Sequence, residues 1–94
     1  MPAVARVGDT CTGHGNFPPR TCDSGSSNVF VNGIAVTRQG DHWVTHSNGD
    51  SSHDGTLADG SGTVYANGKP VARIGDMISC GSAVARGSRN VFAG

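Results

Sequence analysis

Two short patterns, each written three times, leave this chain few ways to fold. The first runs Gly25-Ser26-Ser27-Asn28-Val29-Phe30-Val31-Asn32-Gly33 and recurs as Gly60-Ser61-Gly62-Thr63-Val64-Tyr65-Ala66-Asn67-Gly68. Its last copy is Gly87-Ser88-Arg89-Asn90-Val91-Phe92-Ala93-Gly94. The second pattern appears as Ala3-Val4-Ala5-Arg6-Val7-Gly8-Asp9, Ala35-Val36-Thr37-Arg38-Gln39-Gly40-Asp41 and Val71-Ala72-Arg73-Ile74-Gly75-Asp76, always ending in Gly-Asp. Internal repetition of this kind means one small structural unit used several times.

In the two internal copies the first pattern enters the second through Asn32-Gly33 and Asn67-Gly68. That dipeptide suits a two-residue type I′ turn, whose central residues both take positive φ. Each copy therefore reads as a β-hairpin. The remaining copy is split, with its first strand ending at Gly94 and its second starting near Pro2, so the termini are expected to meet and complete a further hairpin. Three similar hairpins imply pseudo-threefold symmetry within one chain. Such a chain presents three near-equivalent surfaces to a homotrimer on the same axis. In each strand pair Val29/Phe30, Val64/Tyr65 and Val91/Phe92, alternation predicts one residue inward and one outward; core is the default reading of these residues, and an apolar docking base is the sharper alternative.

The chain has 94 residues and reads as a single domain over 1–94 with no effector extension. A chain this short buries too little apolar surface for its core alone to hold it firmly. Gly 15, with 35% hydrophobic and 5% aromatic content, favours short strands and tight turns, and no stretch has the pattern of an ordinary amphipathic helix. The formal net charge is +0 with scattered Lys and Arg, which offers no basic face to a nucleic acid. Neither a membrane span nor a charged-then-apolar leader is present, so a soluble, cytoplasmically made chain is expected. Cys 3 is an odd count, which speaks against a complete disulfide framework and leaves room for metal ligation.

Each Gly-Asp is followed by an excursion, read from the sequence as a loop, that carries a metal-capable residue at nearly the same offset. His14 follows Asp9 by five positions, His46 follows Asp41 by five, and Cys80 follows Asp76 by four. Around a common axis these residues converge at one end. His53, in the segment from Ser47 to Ser61, is the best fourth ligand. Three His and one Cys suit tetrahedral Zn²⁺, and a shell filled by protein has no open position for water, which makes the metal a structural staple rather than a catalyst. His42 breaks the offset and reads as a solvated or hydrogen-bonded side chain. Cys11 and Cys22 read as free thiols, with alternative ligation or a disulfide still open. The Gly-Asp pairs read as turn chemistry, in which Arg6, Arg38 and Arg73 can pair with Asp9, Asp41 and Asp76.

With Pro70-Val71-Ala72-Arg73, Ala3-Val4-Ala5-Arg6 and the weaker Ala35-Val36-Thr37-Arg38, the chain resembles the PAAR-repeat family, named for a proline-alanine-alanine-arginine motif. Gly8-Asp9, Gly13-His14-Gly15, Phe17-Pro18-Pro19-Arg20 and the closing Asn90-Val91-Phe92-Ala93-Gly94 extend the resemblance along the whole chain. The resemblance implies an all-β cone of three pseudo-threefold hairpins, stapled by one Zn²⁺ at its apex through His14, His46, His53 and Cys80. It also implies a non-enzymatic, membrane-piercing tip on the homotrimeric β-helical (VgrG-like) spike of a type VI secretion system or a phage tail. Such a tip is assembled in the cytoplasm, can serve as an adaptor for effector cargo, and meets the target membrane on injection. Two other functions stay in view. One is a free-standing metal-binding module; the other is a zinc hydrolase, which requires an open coordination position and a base such as Asp50 or Asp54.

Overall fold

The computed structural model describes residues 1–13, 19–47 and 52–94, with 45–47 and 52–54 described by backbone alone. Its described elements are six strands and no helix: β1 Phe30–Val31, β2 Ile34–Ala35, β3 His42–Ser47, β4 Ser52–Thr56, β5 Tyr65–Ala66 and β6 Lys69–Pro70. Strands pair antiparallel as β1–β2, β3–β4 and β5–β6. The molecule measures 38 × 24 × 21 Å.

β1–β2 and β5–β6 are the two hairpins expected from the repeat. Their turns have φ of 57° and 76° at Asn32 and Gly33, and 55° and 77° at Asn67 and Gly68, the positive pair that a type I′ turn requires. The split hairpin closes across the termini: Ala3 pairs antiparallel with Phe92, and Ala93 N–H donates to Pro2 C=O at 3.0 Å. A second backbone bond is common to all three hairpins, from the N–H of Val36 to Val29 C=O (3.1 Å), of Val71 to Val64 C=O (3.1 Å) and of Val4 to Val91 C=O (3.0 Å).

At the centre the three units lock through a cyclic set of backbone bonds. Ala5 N–H donates to Ala72 C=O (2.9 Å), Ala72 N–H to Thr37 C=O (2.9 Å), and Thr37 N–H to Ala5 C=O (3.3 Å). All three residues are fully buried. Side chains this close to an axis must be small, which is why the repeat carries Ala, Thr and Ala there. Below the ring, Val4, Val36, Val71, Ala66 and Ala93 form one apolar cluster. Above it, Cys11, Trp43 and Ile78, with Cys22, Leu57 and Val84, form a second.

Each repeat unit then makes a tight turn and leaves for the far end. In Arg-X-Gly-Asp the Asp N–H returns to the Arg C=O at 2.9, 2.9 and 3.0 Å. The third residue of such a turn needs positive φ, and Gly8, Gly40 and Gly75 supply it at 95°, 89° and 93°. The glycine that opens each first pattern has a different reason: a Cβ would lie 2.7 Å from Val36 O at Gly25, from Pro70 Cβ at Gly60 and from Val4 O at Gly87.

One expectation shifts by a residue. Alternation was expected to split each Val-aromatic pair, yet Val29 and Val64 are exposed along with Phe30 and Tyr65, and Val91 is half-buried beside exposed Phe92. The inward position is the next one along, Val31, Ala66 and Ala93. The reason is that the Ser26, Ser61 and Ser88 hydroxyls hold the following N–H groups in a turn, so the strand proper starts later.

Candidate functional site

Three excursions leave the Gly-Asp turns and return to equivalent places. They open at Thr10, His42 and Met77, which pair antiparallel with Thr21, Thr56 and Ala83. Each is stitched to its neighbour by a further pairing, Cys11 with Val84, Cys22 with Trp43, and Leu57 with Ile78. The excursions differ in length but share one apolar floor. Of the expected ligands, residues 46 and 53 lie on the second excursion and Cys80 on the third.

His14 lies outside the described residues. His46 and His53 were expected on loops; both fall instead on paired strands, with residue 46 directly opposite 53 in the β3–β4 register. Sequence reading missed these strands because Ser52–Thr56 is polar and lacks apolar alternation; it pairs antiparallel with β3. A register shift in β3 between Trp43 and His46 adds one residue. That extra residue puts position 46, three after Trp43, on the hairpin face that Trp43 shares with its partner Gly55. Residues 53 and 55 alternate on β4 and so share that face too.

Cys80 arrives on this same face from the third excursion. It packs against the upper cluster, and a Cβ on Gly55 would stand 3.2 Å from Cys80 Cβ and 2.9 Å from Ile78 Cγ2. Gly55 therefore has the role of letting the Cys80 turn close onto the hairpin, a role the sequence signalled only as a glycine in an unassigned segment. Ser79 holds the approach, its N–H donating to Thr56 C=O (2.9 Å) while its hydroxyl accepts Thr56 N–H (3.0 Å). Trp43, the neighbour across Gly55, is 2% exposed, and its Nε1 has no acceptor among the described residues. An orphaned buried donor costs about 1–3 kcal/mol. Register and approach thus bring residues 46 and 53 and Cys80 to one face of the hairpin, a set of residue types whose chemistry fits a metal ion.

The remaining thiols are free and buried. Cys11 Sγ accepts Arg20 N–H at 3.2 Å. Cys22 bonds to Thr37 Oγ1 (2.9 Å) and Ser24 C=O (3.0 Å); burial pushes its thiol pKa above the ordinary 9.0, over the lowering effect of those bonds. His42 meets Asp23 through Nδ1 at 2.8 Å. No group of three or more metal-capable side chains gathers among the described residues.

The opposite end is built by the Arg-Asp pairs. Asp9, Asp41 and Asp76 each accept from the Arg backbone N–H at 2.7–2.8 Å and from its Nε at 2.9–3.1 Å. Hydrogen bonding to Asp41 and Asp76 holds the Arg38 and Arg73 guanidinium groups above their ordinary pKa, against the lowering effect of desolvation. Arg6 and Arg38 also reach the turn asparagines, Asn32 at 3.2 Å and Asn67 at 2.9 Å. On the same hairpins stand Phe30, Tyr65 and Phe92, 57%, 56% and 48% exposed, one from each. Three exposed aromatic rings related by a pseudo-threefold are an unusual feature on a body with so few aromatics.

A family model, described as the PAAR motif, matches residues 48–94. Two curated proteins of Pseudomonas aeruginosa are similar in sequence, each 38% identical over 76 residues that cover 74% of this chain. They are the NAD(P)(+) glycohydrolase toxin Tse6 and the (p)ppApp synthetase toxin Tas1. The aligned part is 18% of the first and 17% of the second, so the chain spans under a fifth of either relative.

Proposed function

Because this chain belongs to the PAAR motif family, we propose that it caps the homotrimeric β-helical spike of a contractile injection machine, with the Phe30, Tyr65 and Phe92 ring as its docking base. The observation that carries this reading is the ring itself, set around the Ala5–Thr37–Ala72 axis. A single chain with three equivalent apolar contacts meets a threefold partner without leaving two of its three sites idle. At the other end His14, His46, His53 and Cys80 would hold Zn²⁺. When bound, the metal cross-links the three excursions and makes the tip rigid, and its binding free energy becomes folding free energy.

The role is mechanical and not enzymatic, because four protein ligands leave no position for a substrate or water. Assembly takes place in the cytoplasm and contraction delivers the tip outward. The toxin names of the two relatives favour a second duty, as the part through which an effector is carried.

The test is mixing with a candidate β-helical spike trimer, followed by light scattering and calorimetry. One copy of the chain per trimer is expected. Phe30→Asp, Tyr65→Asp and Phe92→Asp should each weaken binding by about 2 kcal/mol with an unchanged melting temperature. Full-strength binding by the triple variant would overturn the docking base, and a chain that stays monomeric beside its own spike would favour the free-standing module.

A further inference from the structure

The apical site leaves one polar atom unaccounted for. Trp43 Nε1 is buried with no acceptor among the described residues, and an indole N–H can only donate. Packing does not demand an indole here. The repeat-equivalent positions hold Cys11 and Ile78, which fill the same layer of the core without any such donor.

Three cysteines belong to this cluster or pack against it. Two have their sulfurs committed, Cys11 to the Arg20 N–H and Cys22 to Thr37 and Ser24. Cys80 Sγ makes no hydrogen bond among the described residues. Between Cys80 and Trp43 lies Gly55, paired with Trp43 across the hairpin and close enough to Cys80 that a Cβ would meet it at 3.2 Å. The strand position that neighbours both Trp43 and Cys80 therefore carries no side chain.

We propose that Trp43 is a positioning residue for the apical metal, its indole N–H donating to the Cys80 sulfur when that sulfur ligates. The inference rests on Cys80 being a ligand. A neutral thiol accepts only weakly. On ligation the thiol proton leaves to solvent and the sulfur becomes a thiolate, an ionised acceptor that forms much stronger hydrogen bonds. The Trp43 donor and the Cys80 sulfur, neither hydrogen-bonded among the described residues, are the halves of one bond that forms with the metal. Donors of this kind orient the ligand and typically change metal affinity about 10- to 100-fold when removed.

The test loads the full chain with a spin-active cadmium isotope and observes the indole proton by nuclear magnetic resonance. A scalar coupling between that proton and the metal, carried through the Cys80 sulfur, is expected. In parallel, Trp43→Phe should keep one metal per chain while its Zn²⁺ dissociation constant, measured by chelator competition, rises about tenfold or more. A loaded wild type without the coupling overturns the inference, as does a folded Trp43→Phe with unchanged affinity, and both leave the four-ligand site standing. Wild type that takes up no metal, or Cys80→Ala that binds it as well as wild type, overturns the inference together with the metal reading. Should Trp43→Phe fail to fold, the wild-type coupling decides alone.

Discussion

Thr37 carries the single hydroxyl in a ring otherwise made of Ala5 and Ala72, and it is fully buried. Its partner explains how that is tolerated. Cys22 occupies the place that Leu57 and Val84 take in the other two excursions, since each accepts from the Gly of the turn, at 2.9, 2.8 and 2.9 Å, and donates back to the Asp carbonyl, at 3.0, 3.0 and 2.9 Å. A polar departure from the repeat at 37 is thus matched by a polar departure at 22, and the two bond to each other at 2.9 Å. Cys22→Val alone should cost about 1–3 kcal/mol, because it strands the Thr37 hydroxyl, whereas Cys22→Val with Thr37→Ala should come close to neutral. Denaturant unfolding of both singles and the double checks this, and additive losses would show the pair to be uncoupled. The pH dependence has a definite sign. Because the folded thiol pKa is raised above 9.0, its contribution is full below that value and falls as pH rises through the folded pKa. That alkaline loss should be absent from the double variant.

At the scale of elements, the hairpins of the base were legible because each is written in turn chemistry that acts locally: Asn-Gly for the reversal, Arg-X-Gly-Asp for the exit, Ser at the entry. The apical strands were not. β3 and β4 exist through pairing with each other, and neither the added residue in β3 nor the need for Gly55 leaves a periodic trace. Equivalence among Cys22, Leu57 and Val84 was hidden for a similar reason, since excursions of unequal length put them at unequal offsets from Gly-Asp. The ligand set was read from the offsets of His14, His46 and Cys80, which are counted from the turn outward, with His53 added as the fourth. The metal content of protein purified without an affinity tag tests that set. One zinc per chain is expected in wild type and in His42→Ala, whose side chain is engaged with Asp23. His14→Ala, His46→Ala, His53→Ala and Cys80→Ala should each lose the metal and with it the cooperative melting transition. Stoichiometric zinc in any of these four would remove that residue from the site.

Across the whole molecule, the pseudo-threefold is sharp enough to place residues that the hairpins do not share by name. Ala93 and Pro2 stand where Val31 and Ile34, or Ala66 and Lys69, flank the Asn-Gly turns. Gly94 and Met1 then occupy the positions of Asn32-Gly33 and Asn67-Gly68. The correspondence extends to hydrogen bonding: the Ser26 and Ser88 hydroxyls donate to the Asn67 and Asn32 side chains at 2.6 Å, and Ser61 donates to the Gly94 carbonyl in their stead. The third turn is therefore prepared and lacks only its covalent link. A permuted chain, with Gly94→Asn joined directly to Met1→Gly and new ends opened between Asn67 and Gly68, exchanges one two-residue turn for another at the same base. Loop closure of equal length costs equally, so its unfolding free energy should match that of the parent within about 1 kcal/mol, with the same metal content and the same spike binding. Failure to fold would show that the Asn67-Gly68 turn does something in folding that its two counterparts cannot, and the threefold would then be a likeness of shape without equivalence in energy.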